Sequence, residues 1–221
     1  ADAVLLRGEN RYLAQRGIPL IREGKNPGIK ALMDVAGIDP KYLTEEDIGF
    51  QLSPRLNAAG RMADAGIAVE LLLSEDASRA AALAKRLDEL NEERRCLADS
   101  MLEEAEALVE DGEGAAILLF KAHWHKGIIG ITAGRLCEKY RVPAIVMCLK
   151  EDGETVAGSC RSVEGVNIFE VLQECGSFLE GFGGHAAAAG ISLKREKLDA
   201  FMDACGKAIK ARPGDIKVAP Y

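Results

Sequence analysis

The feature that most constrains this chain is a stretch from residue 76 to 111 that holds neither glycine nor proline. Glycine weakens helices through backbone entropy, and proline through its missing N–H and its ring. Inside the stretch Leu83, Leu87, Leu90, Leu97, Met101 and Leu108 recur at spacings of 4, 3, 7, 4 and 7. That is the a/d pattern of a helix with one apolar seam, Arg94 and Glu104 occupying the skipped positions. A helix of about 36 residues spans roughly 54 Å. This exceeds the width of a compact domain, so the stretch predicts a helix connecting two bodies. A coiled-coil dimer would use the same seam and is the competing reading.

The two flanks differ in rhythm. Residues 1–74 predict short helices: 9–15 ending near Gly17, one from Pro27 to a stop at Gly37, and 66–73. Thr44 and Asp47 have the spacing of a capping box. After the glycines at 112 and 114, strand-like runs at 115–121, 144–149, 154–162 and 190–194 alternate with helix-like runs at 127–140, 167–174 and 196–210. The fold class expected is α/β: short helices, a connecting helix at 75–111, and an α/β domain at 112–211 with a mixed or parallel sheet. Residues 212–221 read as the start of a further element.

Charge needs a local reading. The chain carries 28 Lys and Arg against 35 Asp and Glu, net −7. As a sum this argues against a basic nucleic-acid module. However, residues 76–111 alone hold eleven acidic and five basic residues, net −6, leaving −1 for everything else. Four islands contain no carboxylate at all: 49–63, 114–137, 155–163 and 181–195. They coincide with the glycine-rich motifs, as expected of a protein that brings an anion to them. One Trp, four Tyr and six Phe are too few for an extended stacking platform, so contact with a phosphate backbone is the expectation.

Each island has its own chemistry. Residues 53–61 read Ser-Pro-Arg-Leu-Asn-Ala-Ala-Gly-Arg, placing Arg55, Asn57 and Arg61 among small residues. Arginine forks suit phosphate oxygens, although Arg61 could simply balance a helix C-terminus. His125 and Lys126 precede the helix at 127–140, whose first turn offers free N–H groups and a positive dipole end. His123 and His125 lack a nearby third ligand for a metal. In a strand Ser159 and Arg161 share a face, and together with Ser162 they suggest a small anion clamp. Gly183, Gly184 and His185 precede four alanines, and the two glycines could line an anion nest.

Other classes are excluded. No apolar run is long enough for a membrane helix, and the first residues lack a signal-peptide pattern. Six cysteines without a Cys-x-x-Cys pair read as reduced core residues of a cytoplasmic protein. No Walker loop, Gly-x-Ser-x-Gly elbow or His-Glu-x-x-His is present, and no complete catalytic centre can be assembled.

In combination, Ser-Pro-Arg-Leu-Asn-Ala-Ala-Gly-Arg (53–61), Asn-Glu-Glu-Arg-Arg (91–95), His-Lys-Gly-Ile-Ile-Gly (125–130), Gly-Ser-Cys-Arg-Ser (158–162) and Gly-Gly-His-Ala-Ala-Ala-Ala-Gly (183–190) closely resemble the RecJ family of the DHH phosphoesterase superfamily. The likeness runs from the first residue to about residue 211. It implies that residues 1–74 are the C-terminal part of a DHH domain, 75–111 the interdomain helix and 112–211 the DHH-associated substrate-binding domain. Members of the family hydrolyse single-stranded DNA 5′ to 3′ with Mn or Mg, in DNA repair and recombination. The resemblance implies metal ligands outside this chain, so that the chain is an inactive, nucleic-acid-binding fragment; a monomer is expected. By resemblance Ser159 and Arg161 lie near the 5′ phosphate, Arg55 and Arg61 line the DNA path, and His185 with Gly183 and Gly184 faces the catalytic cleft. A related oligoribonuclease acting on short oligonucleotides and a non-enzymatic helical module are the alternatives.

Overall fold

The structure, a computed structural model, describes residues 5–109 and 115–212. It has two compact units that divide inside the long helix, between Cys96 and Leu97.

The first unit contains α1 (Gly8–Arg22), α2 (Pro27–Ala36), α3 (Glu45–Asp47), α4 (Ser53–Met62), α5 (Gly66–Leu73) and the beginning of α6 (Ala77–Glu106). Local chemistry sets most of these bounds. Asn26 caps α2 by accepting from the Ile29 N–H at 2.9 Å, Pro27 fills the first turn, and Gly37 ends it in the left-handed region. The expected capping box forms: Thr44 Oγ1 accepts from the Asp47 N–H, and Asp47 accepts from the Thr44 N–H at 2.9 Å. A π-helical turn, Ile48–Leu52, then joins α3 to α4. The core of this unit gathers Leu32, Met33, Leu43, Leu52, Ala59 and Leu71 around Ala80, Leu83, Ala84 and Leu87 of α6.

Two expectations require correction here. The first helix does not stop near Gly17 but continues through Gly17 and Pro19 to Arg22. Its last turn is held by Glu23 N–H donating to the Pro19 carbonyl and by the Arg22 guanidinium donating to the Leu43 carbonyl at 3.0 Å. The long helix is 30 residues, about 45 Å, and ends at Glu106. Leu108 therefore falls outside it and is exposed. The buried stripe includes Ala80, Ala84, Asn91, Ala98 and Ala105 besides the expected Leu83, Leu87, Leu90 and Met101. Leu83, Leu87, Leu90 and Met101 of the seam are buried within the chain itself.

The second unit begins with the rest of α6. It continues with β1 (Ile117–Phe120), α7 (Ile129–Tyr140), β2 (Ala144–Leu149), β3 (Thr155–Arg161), α8 (Ile168–Glu174), β4 (Gly181–His185), β5 (Ala188–Lys194) and α9 (Leu198–Lys210). The sheet is mixed, in the order β1-β2-β3-β5-β4, with β1 and β2 parallel and the other pairs antiparallel. The α/β expectation holds, with one strand added: β4 lies where the sequence predicts only a glycine-rich turn. One face of the sheet packs Ile145, Met147, Val156, Cys160, Ile191 and Leu193 against Val171 and Leu172 of α8 and Phe201 and Cys205 of α9. On the other face α7 lies over β2 and β3.

The helix break expected at 111–114 lies outside the described residues, and so do residues 213–221 of the element expected at 212–221. Five cysteines are buried, and the sixth, Cys96, is exposed on α6. Among the described residues no helix is long and apolar enough to cross a membrane.

Candidate nucleic-acid interface

Residues paired across neighbouring strands project to the same side of a sheet. The register aligns Arg161 of β3, Ala188 of β5 and His185 of β4 in one row, and Ser159, Gly190 and Gly183 in another. The intervening residues face α8: Ala189 and Ile191 are core, and the Phe182 ring lies 5.5 Å from that of Phe169. Ser159, Arg161 and His185 therefore share the face opposite α8. Arg161 and His185 stand on either side of Ala188, with their backbones roughly 10 Å apart, two strand spacings. Between them the floor is Gly183, Ala188 and Gly190, almost without side chains, and Gly183, Gly190 and His185 are exposed. This is a shallow open tray on the edge half of the sheet.

At one margin the tray meets α7. The Arg161 guanidinium donates through Nη1 to Ser159 Oγ at 3.0 Å and to its neighbour's carbonyl, Cys160 O, at 2.8 Å. Gly130, in the first turn of α7, has no Cβ; one there would stand 3.1 Å from Ser159 Oγ and 3.3 Å from Arg161 Nη2. A guanidinium, a hydroxyl and the positive end of a 12-residue helix thus converge. No side chain caps this helix. The arrangement attracts an anion.

Both histidines next to glycine motifs use the same device. His185 Nδ1 accepts from the Ala187 N–H at 3.3 Å, and His125 Nδ1 accepts from the Gly127 N–H at 3.1 Å. An accepting Nδ1 assigns the proton of the neutral ring to Nε2, leaving that nitrogen as a donor.

The loop carrying His125 and Lys126 is anchored by Trp124, which is buried. Its indole N–H donates to Glu104 of α6 at 2.7 Å, and His123 Nε2 meets the same carboxylate oxygen at 3.0 Å. The Trp124 hydrogen bond, aided by His123 and Lys121, holds the Glu104 carboxyl below its ordinary range. Nothing in the sequence signals this pair, because 20 residues and strand β1 separate its members. His123 is accordingly half of an acid–histidine contact. Among the described residues no group of three His, Cys, Asp or Glu side chains is placed to hold a metal ion.

Two candidates of the second unit, Gly184 and Ser162, do not join the tray. Gly184 points to the opposite face. Its φ is +149°, and a Cβ would stand 2.3 Å from the Ala188 carbonyl, so its glycine is a backbone requirement. Gly183, part of the tray's floor, is in a strand ladder opposite Gly190, so it belongs to the edge strand β4 and not to the expected nest. Ser162 donates to the Val166 carbonyl at 2.7 Å, and its N–H donates to Ala187 O. It closes a turn. In the first unit Arg55 is mostly covered. It donates to Asp88 of α6 and to the Gln51 carbonyl, both at 2.8 Å, bracing α4 against α6. Asn57 and Arg61 are exposed on α4.

Residues 112–211 match the DHHA1 domain family. The chain is 43% identical over 198 residues to a protein of Bacillus subtilis named single-stranded-DNA-specific exonuclease RecJ, covering 89% of this chain and 25% of that one. It is 39% identical over 220 residues to the Escherichia coli protein of the same name, covering 95% and 38%. Among solved structures, RecJ of Thermus thermophilus in complex with Mg2+ superposes with a TM-score of 0.88 at 30% identity, over 97% of this chain and 33% of that one. An exonuclease RecJ bound to manganese gives 0.83 at 28% identity, over 97% and 53%. The chain spans about a quarter to two fifths of the curated relatives' length.

Proposed function

The chain belongs with the RecJ proteins, its residues 112–211 forming their DHHA1 domain, and on that premise we propose that it supplies the single-strand-binding part of a 5′-to-3′ single-stranded-DNA exonuclease. The observation that carries this reading is the tray in which Ser159, Arg161 and His185 surround a floor of Gly183, Ala188 and Gly190. A phosphodiester backbone is a chain of anions that needs close approach more than deep burial. Glycine and alanine allow the approach, and no acidic residue lies within 155–163 or 181–195 to repel the strand.

The roles divide by chemistry. Arg161 and Ser159, against the first turn of α7, take a terminal or bridging phosphate by charge-assisted hydrogen bonds. His185 donates from Nε2 to the strand crossing the floor. His125 and Lys126 extend the cationic margin along the α7 loop. On the first unit Asn57 and Arg61 offer a second set of contacts, while Arg55 contributes by holding α4. Hydrolysis in this reading depends on a divalent metal, and the two solved relatives described above carry Mg2+ and manganese. The described side chains of this chain do not fit such an ion, so no step is assigned to them. The protein acts in the cytoplasm as a monomer. No feature of the tray favours the short-oligonucleotide alternative.

Fluorescence anisotropy with a labelled oligothymidylate tests the proposal, comparing 5′-phosphorylated and 5′-hydroxyl strands. Arg161→Ala is expected to weaken the phosphorylated strand about tenfold or more and the hydroxyl strand less. Equal weakening of both strands would remove the 5′-phosphate role. No binding by the parent chain would remove the reading altogether.

A further inference from the structure

The anion site at the margin of the tray has one wall that must be set in place. That wall is the first turn of α7, where a Cβ on Gly130 would stand 3.1 Å from Ser159 Oγ and 3.3 Å from Arg161 Nη2. An approach this close makes the site sensitive to where α7 begins. Between Phe120, the last residue of β1, and Ile129, the first of α7, the chain runs through eight residues of turns. The start of α7 therefore depends on what holds those turns. Three acidic side chains of α6, all in the second unit, reach this region. Asp99 pairs with Arg135 and Glu106 with Lys139, both in the later part of α7. These are partly exposed ion pairs, which stabilise little. Glu104 acts ahead of the helix instead. One of its oxygens accepts the Trp124 indole N–H at 2.7 Å and meets His123 Nε2 at 3.0 Å, and Lys121 lies 4.0 Å from the other. Trp124 is only 3% exposed, so this bond orients a large, rigid, buried side chain six residues before Gly130.

We propose that Glu104 is a positioning residue for the phosphate site: through the Trp124 indole it fixes the turns ahead of α7, and so the placement of the first turn of α7 against Ser159 and Arg161. Glu104 itself touches no phosphate. The sign of its effect separates this role from a purely electrostatic one. A carboxylate on a domain that takes up an anion repels it, so by charge alone Glu104 weakens phosphate binding. By positioning the helix it strengthens that binding. The inference rests on the 5′-phosphate reading above and adds to it a residue of the long helix, outside the glycine-rich motifs.

The test uses the whole chain and two oligothymidylates of equal length, one 5′-phosphorylated and one 5′-hydroxyl, and reads the ratio of their affinities. Glu104→Ala should lower the parent's preference for the phosphorylated strand about three- to tenfold, although it removes a negative charge. Glu104→Gln, whose side-chain carbonyl still accepts the indole N–H, should keep the preference within about twofold of the parent's. Trp124→Phe removes the donor and should lower the preference as Glu104→Ala does, and the double variant should be no worse than either single one. Glu106→Ala breaks the tie to the later part of α7 and should leave the preference unchanged. Thermal melts accompany each variant, because a merely structural Glu104 would move the melt and not the preference. An unchanged or raised preference in Glu104→Ala, or an equal loss in Glu104→Gln, overturns the positioning role and leaves the Arg161 assignment standing. If Glu104→Ala does not fold, a lowered preference in Trp124→Phe with a retained one in Glu104→Gln supports the role, and any other pairing overturns it. A parent chain that does not distinguish the two strands removes the 5′-phosphate reading and this inference together.

Discussion

The indole N–H of Trp124 donates to the Glu104 carboxylate at 2.7 Å, tying the loop between β1 and α7 to the last turn of α6. Glu104 is held below its ordinary carboxylate range chiefly by that bond, then by His123 and Lys121. A carboxylate lowered on folding stabilises the native state above its unfolded value and loses that contribution as pH falls through the folded one. Trp124 is the single tryptophan, so its emission reports the pair. Emission is expected to be flat at neutral pH and to change only below the ordinary carboxylate range. Glu104→Gln should abolish that acid step while keeping the fold. A step of unchanged position and size in the variant would show that another group controls it.

Arg55 braces α4 to α6 through Asp88 and the Gln51 carbonyl. Arg55→Ala is expected to lower stability by about 1 kcal/mol, the partial exposure of Asp88 limiting the effect. Arg55→Lys should recover part of this, since a lysine reaches one acceptor but not two. Denaturant melts of the two variants decide the matter, and a neutral Arg55→Ala would leave the residue available for DNA after all.

Gly184 carries a backbone requirement that Gly183 does not. Gly184→Ala drives a Cβ against the Ala188 carbonyl at a φ of +149°, and should cost about 1–3 kcal/mol while loosening β4 from β5. At Gly183 a Cβ meets no atom within 4 Å, so Gly183→Ala should be close to neutral in stability. Hydrogen exchange of the β4–β5 amides distinguishes the two, and equal protection in both variants would contradict the assignment.

Cys137, Cys148, Cys160, Cys175 and Cys205 are buried, and burial raises their thiols, that of Cys160 to about 12. Buried thiols with raised pKa values are poor nucleophiles. Iodoacetamide at neutral pH is expected to modify Cys96 alone in the native chain and all six after denaturation. Native modification of two or more would show that the second unit opens readily.

Sequence patterning located the elements that local chemistry defines. Asn26, Pro27 and Gly37 bound α2, and the lack of glycine and proline predicted α6 to within a few residues at each end. Strand β4 was not legible: Gly-Phe-Gly-Gly-His has little strand propensity, and its pairing with β5 overrides that. For the site, period-two alternation was enough to put Ser159 and Arg161 on one face. It could not place His185 across from Arg161, because that depends on which strand lies between them. Arg55 was ambiguous for a chemical reason, since a guanidinium fork accepts a carboxylate as readily as a phosphate. The Glu104 and Trp124 pair left no local pattern at all.

The central claim, that single-stranded DNA crosses the tray on β4 and β5, is tested most directly by changing charge at its floor. Gly183 is exposed, has room for a side chain and projects onto that face. Binding of a 5′-phosphorylated oligothymidylate is measured for Gly183→Asp and Gly183→Lys across a range of salt. The account predicts opposite signs: a large loss of affinity for the aspartate, and for the lysine a gain with a salt slope steeper by about 0.7. Affinities unchanged in both, or shifted in the same direction, would contradict it.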